Sequence, residues 1–299
     1  MSRRRTAAAL ALVLAACNAG SARSSGEFDG ARALAYVERQ LAFGPRIPNT
    51  AGHRGAGDWL AAELAGRADT VIVQAWTHVT ARGDTLALRN FFARFRPAAT
   101  DRVLFVAHWD TRPQADRSAN MAAQRQPVPG ANDGASGVAV LLGIADALQK
   151  HAPAVGVDLL FVDGEDWGDF SDSTEALIGS RYFAAHLPPG YQPLYGVLFD
   201  MVGDKDLQLY WEGYSQANAP EVVQRVWSFA ERLGYERIFQ PSVRHTLVDD
   251  HVPLQEAGLR VIDVIDFDYP YWHTTEDTID KVSAASLKAV GDVAIALVR

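Results

Sequence analysis

A chain of 299 residues, 48% hydrophobic and 21% charged, can bury a substantial core, which excludes disorder as its default state and leaves one large α/β domain or two small ones. The formal net charge of -8 excludes a globally basic nucleic-acid groove and points to a small or peptide ligand. Cys17 is the only cysteine, so no internal disulfide can form.

Arg3, Arg4 and Arg5 precede an apolar run, Ala7 to Ala16, too short to span a bilayer but matching the hydrophobic region of an export signal. Leu14-Ala15-Ala16-Cys17 looks like a bacterial lipobox, in which cleavage leaves Cys17 acylated at the new N-terminus. Residues 1–16 are therefore expected to be a lipoprotein export signal. Residues 17–27, rich in Ser, Ala and Gly, are expected to be a flexible tether, since they have little apolar surface to bury. The expected location is the bacterial cell envelope, with the lipid as the sole membrane contact. The alternative is an ordinary secretory signal that discards the cysteine and releases the protein.

The folded body is expected to start near Phe28 and run to residue 299. Apolar spacing predicts helices over Ala31–Leu41 and Gly57–Leu64, then strands over Val71–Val79, Leu86–Phe95 and Val103–Ala107. A helix over Gly137–Leu148 follows a glycine-bearing turn, a buried strand covers Val157–Val162, and Glu175–His186 reads as another helix. Strands over Tyr195–Phe199, Leu207–Trp211 and Leu259–Ile265 alternate with helices over Pro220–Leu233 and Ser283–Leu297. No break in composition divides this body. The expected fold is one α/β domain, a mixed, largely parallel twisted sheet with helices on both faces.

Acidic and imidazole side chains recur where these strands should end: His108-Trp109-Asp110, Asn132-Asp133-Gly134, Asp163-Gly164-Glu165-Asp166, Asp200 and Trp272-His273-Thr274. Carboxylate oxygen and imidazole nitrogen suit zinc, and an acid beside a ligating acid is how metal enzymes place a general base. Each has a plainer reading: Asp133 as a helix cap, Asp163 as a turn residue, His273 as a packed histidine. Together they can converge outside the carboxyl ends of a parallel sheet. Of the tryptophans, Trp59, Trp76, Trp211 and Trp227 read as core, whereas Trp109, Trp167 and Trp272 adjoin site residues and would form an apolar wall.

Phe105-Val106-Ala107-His108-Trp109-Asp110, Gly130-Ala131-Asn132-Asp133-Gly134-Ala135-Ser136-Gly137, Gly164-Glu165-Asp166 and Trp272-His273-Thr274 resemble the zinc-dependent M28 peptidase superfamily from about Gly44 onward. Phe43-Gly44-Pro45-Arg46-Ile47-Pro48-Asn49-Thr50, Leu198-Phe199-Asp200-Met201-Val202-Gly203, Asp249-Asp250-His251-Val252-Pro253-Leu254 and the tryptophan before His273 are similar to its bacterial glutaminyl-peptide cyclotransferase branch. The resemblance implies a zinc aminopeptidase-like fold. It also implies one zinc ion held by Asp133, Asp166 and His273, with Glu165 as general acid/base. Asp200 and Asp249 would complete the catalytic acid network, Asp250 replacing Asp249 should the match slip by one. Trp167 and Trp272 would bind substrate. Two departures stand out: the metal-binding acid is Asp166 where many relatives carry glutamate, and Asp263 stands where animal cyclases carry histidine.

The implied reaction converts the N-terminal glutamine of a peptide to pyroglutamate with loss of ammonia. It needs a neutral α-amine, a polarised γ-amide and a proton route to the leaving nitrogen. Clustered acids near Glu165 would raise a pKa into the range useful for that route, although Asp249 and Asp250 could instead cap a helix beginning near His251. The competing expectation is a two-zinc aminopeptidase with His108, Asp133, Asp166, Asp200 and His273 as ligands; a third is a non-catalytic peptide-binding envelope lipoprotein. Peptide or protein N-termini are the expected partners, with no nucleic acid, and the expected state is a monomer.

Overall fold

The computed structural model describes residues 27–168 and 175–299. Cys17 and all of the expected tether except Glu27 lie outside the described residues; Glu27 itself accepts from Arg299 Nε at 2.8 Å. In chain order the elements are α1 (Gly30–Leu41), α2 (Ala51–Ala65), β1 (Thr70–Val79), β2 (Thr85–Phe95), β3 (Arg102–His108), α3 (Met121–Gln124), α4 (Ala135–Lys150), β4 (Gly156–Val162), α5 (Ile178–Ala185), β5 (Tyr195–Asp200), β6 (Leu209–Glu212), α6 (Gly213–Asn218), α7 (Pro220–Arg232), β7 (Phe239–His245), α8 (His251–Glu256), β8 (Val261–Ile265) and α9 (Ala284–Ala296).

Six strands form the main sheet in the order β1-β2-β4-β3-β5-β8. The block β4-β3-β5-β8 is parallel, and β1 and β2 add an antiparallel edge. Both β3 and β4 are buried along their whole length, as strands covered on two faces must be, whereas β1 at the edge alternates between exposed and half-buried positions. Val103, Phe105 and Ala107 face a core shared with α1, α4 and α9. Leu104 and Val106 face the opposite core, shared with Phe183 of α5 and Leu254 of α8. The expected mixed sheet with helices on both faces is what the chain forms.

Differences from the sequence expectation have local causes. Helix α2 starts at Ala51 instead of Gly57 because the Thr50 hydroxyl accepts from His53 N at 3.2 Å and caps the first turn. Strand β7 was not anticipated because Pro241 interrupts its pattern. It pairs in parallel, with register shifts, to β6, so the expected strand over Leu207–Trp211 joins a separate two-stranded sheet.

Strand β3 has its successors β4 and β5 on opposite sides, so the crevice beyond its carboxyl end is where an open α/β sheet receives a ligand. Helix α4 is drawn tightly onto that end: a Cβ at Gly137 would collide with the Phe199 carbonyl and lie 2.9 Å from Ala107 Cβ. Among the described residues no helix is long and apolar enough to cross a membrane.

Phe28 is buried and its ring occupies the space that a Cβ at Gly143 of α4 or Gly291 of α9 would need. The folded body therefore includes Phe28 as a core residue. Phe28→Ala is expected to destabilise the protein by about 3–5 kcal/mol, read as a shift of the urea midpoint without loss of fold.

Candidate active site and metal centre

Short backbone devices at the ends of β3 and β4 and at the turn into α4 assemble the site. After His108, the last residue of β3, Trp109 N donates to Val162 O at 3.0 Å, tying the ends of β3 and β4 together. The Asp110 carboxylate then accepts from Glu165 N at 3.1 Å and Asp166 N at 3.2 Å. Asp110 thus organises the acidic turn after β4 with its oxygens turned toward backbone donors. Gly134, at φ 87° before α4, is required by space as well as dihedral, since its Cβ would lie 2.8 Å from Asp110 O and 3.0 Å from His108 Cε1.

The loop carrying Asp133 is held from below. Asp277 accepts from Asn132 N at 2.9 Å, Asp133 N at 3.1 Å and Tyr269 Oη at 2.7 Å. Arg46, fully buried, donates to the carbonyls of Trp109 (3.1 Å), Pro129 (3.2 Å) and Gly130 (2.7 Å). Burial lowers its guanidinium to about 10 against the opposing charges of Asp277, Asp110 and Asp133.

Asp133, Asp166 and His273 then meet, their donor atoms all within 4.8 Å of one another. His273 Nε2 lies 3.2 Å from Asp166 Oδ1 and 3.7 Å from Asp133 Oδ2, while its Nδ1 lies 3.3 Å from Asp116 Oδ1. Asp133 Oδ2 and Asp166 Oδ2 are buried without a hydrogen-bond partner, as expected for oxygens arranged to hold a cation. Two carboxylates and an imidazole fit zinc, and a carboxylate on the far imidazole nitrogen is how ligating histidines are oriented. His273 has φ 55°, a left-handed conformation uncommon for a side chain of this size. Arg112 donates to Asp166 Oδ1 at 3.1 Å, which directs the shorter aspartate arm.

A second triple shares Asp133: His108 Nε2 lies 3.1 Å from Asp133 Oδ1 and 3.2 Å from Asp200 Oδ1. Burial pulls the His108 imidazole down, but Glu165 and the nearby carboxylates of Asp110, Asp133 and Asp200 outweigh it and raise its pKa well above the usual value.

Asp133 and His273 border a cavity of about 1130 Å³ that Glu165, Asp200, Asp249, Trp167 and Trp272 also line. Burial raises Glu165 well above the usual carboxylate range, and nearby Asp166, Asp249 and Asp250 push the same way. Burial and the charge of Asp200 raise Asp249 to about 7. Asp200 is also raised, by burial first.

The structure thus brings Asp133, Asp166, His273, Glu165, Asp200, Asp249, Trp167 and Trp272 around one crevice. It corrects one expectation and removes two plainer readings. Trp109 is in the core, stacked on His53 at 4.3 Å with its Nε1 donating to Arg89 O, and forms no cavity wall. Asp249 and Asp250 do not cap α8: Asp250 at its N-cap makes no side-chain capping bond. Asp133 does not cap α4, whose N-cap is Gly134. Between the neighbouring acids, Asp249 reaches the cavity and Asp250 is fully buried behind it. Asp163 pairs with His53 Nε2 at 2.9 Å and accepts from Arg89 N at 2.7 Å, a structural pair away from the cavity. Sequence reasoning missed Arg46 and Asp277 as supports, because a residue that holds backbone from behind leaves no periodic or spacing signal.

The profile of peptidase family M28 matches residues 90–298. The chain belongs to peptidase family M28. Among solved structures, this M28 protein is similar to a Zn-dependent exopeptidase from Parabacteroides distasonis, at 36% identity and TM-score 0.87 over 91% of this chain and 98% of that one. It is equally similar to the Porphyromonas gingivalis glutaminyl cyclase, at 39% identity and TM-score 0.86 over 90% of this chain and 97% of that one. Matches to the aminopeptidase YwaD of Bacillus subtilis (28% identity) and the glutaminyl-peptide cyclotransferase of Gloydius blomhoffii (24% identity) cover 66% and 67% of the chain. They span only 40% and 63% of those relatives' own lengths.

Removing the Asp277 carboxylate frees the Asp133 backbone. Asp277→Ala is therefore expected to weaken metal binding about 10–100-fold, measured by competition with a chromogenic chelator.

Proposed function

We propose that this M28 protein is a zinc-dependent glutaminyl-peptide cyclotransferase, forming pyroglutamate at peptide N-termini with release of ammonia. The observation that carries the reading is the convergence of three buried carboxyl groups, Glu165, Asp200 and Asp249, on one cavity beside Asp133, Asp166 and His273. Ring closure within one molecule needs a shared proton relay at that position and no incoming water, and acids with raised pKa values provide the relay. Relatives that are glutaminyl cyclases over nearly the full chain support it.

Asp133, Asp166 and His273 would hold the ion. Zinc supplies Lewis-acid polarisation of the γ-amide carbonyl when bound. Glu165 takes a proton from the α-amine as the bond from its nitrogen to the γ-amide carbon forms, and returns that proton to the amide nitrogen as ammonia departs. Asp200 and Asp249 keep Glu165 able to hold the proton between these steps. Trp167 and Trp272 line the cavity and would exclude water from the closing ring.

A second reading, a two-zinc aminopeptidase, is favoured by the His108, Asp133 and Asp200 triple. Incubation with a glutamine-initiated and an alanine-initiated peptide separates the two. Ammonia and pyroglutamate from the first are expected, with no amino acid released from the second; free alanine would establish the peptidase. Glu165→Gln is expected to lower kcat for cyclisation about a hundredfold or more with zinc content unchanged, and undiminished turnover would end the assignment.

We also propose export and lipid anchoring through Cys17, on the strength of the Arg-rich start, the apolar run and Leu14-Ala15-Ala16-Cys17. Mass spectrometry of the membrane-extracted protein is expected to find acyl chains on an N-terminal Cys17, and an unmodified mature N-terminus elsewhere would refute it.

A further inference from the structure

Glu212 closes β6 and caps α6, its carboxylate accepting from Tyr214 N at 2.9 Å and Ser215 N at 2.7 Å. An ordinary capping acid stops there and faces water. This one is buried, only 2% exposed, takes two more donors and touches an imidazole. Ser215 Oγ donates at 2.7 Å, Leu247 N at 3.0 Å, and His251 Nε2 lies at 3.1 Å.

The extra contacts share a destination. Leu247 and His251 stand two residues before and two residues after Asp249, so one carboxylate bonds one flank and touches the other flank of the segment that brings Asp249 to the cavity. Ser215 Oγ, oriented by Glu212, in turn accepts from Asp263 N at 2.9 Å, extending the node to β8. Glycine at position 213 belongs to the same arrangement: a Cβ there would collide with Thr246, which lines the cavity on that segment. Glu212 itself is not among the cavity-lining residues.

We propose that Glu212 is a positioning residue for the reaction, setting the orientation of Asp249 by clamping the Thr246–His251 segment from behind. The inference rests on the cyclase reading for the reaction it serves. Burying an anion is costly unless its lone pairs are filled, and here the two donors beyond the cap lead to the Asp249 segment and to the Asp263 backbone, with His251 in contact beside them. The donors also hold the acid ionised: burial raises its pKa, but His251 and the Leu247 and Ser215 N–H groups bring it down to about 2.

The test is a double-mutant cycle on the zinc-loaded, full-length mature protein, with a glutamine-initiated peptide. Glu212→Gln is expected to lower kcat about tenfold, with KM changed less than about twofold and zinc content unchanged. In an Asp249→Asn background the same substitution is expected to cost less than about twofold, because its effect passes through Asp249. Equal losses in both backgrounds would mean a general structural role and overturn the proposal, as would a folded Glu212→Gln protein with wild-type kcat. Should Glu212→Gln not fold, Ser215→Ala, which removes one donor and keeps the charge, is read in the same cycle. A loss of about threefold that vanishes beside Asp249→Asn supports the proposal, and an additive loss or none overturns it. Wild-type pyroglutamate formation is measured first. An inactive wild type would count against the functional reading, whereas an active wild type with an additive cycle would count against Glu212 alone.

Discussion

Burying an ionised carboxylate costs several kcal/mol unless its lone pairs are satisfied or a proton or cation neutralises it, yet Asp110, Asp133, Glu165, Asp166, Asp200 and Asp249 are all buried in one crevice. The fold meets this cost in a different way for each. Backbone N–H groups satisfy Asp110, donated from the turn that carries Glu165 and Asp166. His108 stands between Asp133 and Asp200. Arg112 covers one oxygen of Asp166. The oxygens left over, Asp133 Oδ2 and Asp166 Oδ2, are buried without a hydrogen-bond partner in the group that His273 completes.

Glu165 and Asp249 have neither full donor shells nor a guanidinium, and burial raises both. A carboxyl group kept able to hold a proton near neutral pH is what proton transfer between an amine and an amide needs. The concentration of acid that would otherwise destabilise the crevice thereby becomes its chemical asset. Support comes from residues outside the cavity lining: the Arg46 guanidinium beneath the Asp133 loop sets a positive charge against the acids, while Asp277 on the N–H groups of that loop and Glu212 behind Asp249 hold backbone in place. The supporting layer is as polar as the site, and its groups are bonded largely to backbone.

Such a layer explains what could be read from the chain and what could not. Strand ends carrying His108, Glu165 with Asp166, and Asp200 were legible because each follows an apolar run whose length marks a buried strand. His273 and Asp249 lie in loops and were placed by resemblance in their local motifs. Trp109 was misjudged because adjacency in sequence says nothing of which side a side chain takes at a strand end: it turns into the core onto His53, while Trp167 and Trp272 turn to the cavity. Strand β7 was hidden by Pro241, and α6 is too short to show a period.

The sequence by itself determined the alternation of helices and strands, the absence of disulfides and the residue types able to hold a metal, because these follow from periodicity and side-chain chemistry along a local window. Tertiary structure decided which acid of the Asp249–Asp250 pair reaches the cavity, which oxygens remain unpartnered, and which distant groups support them. Those outcomes depend on contacts between segments such as Asn132 and Asp277, or Glu212 and Leu247, far apart in the chain. No local pattern encodes such a contact, since it exists only once the sheet has set the distance between the two segments.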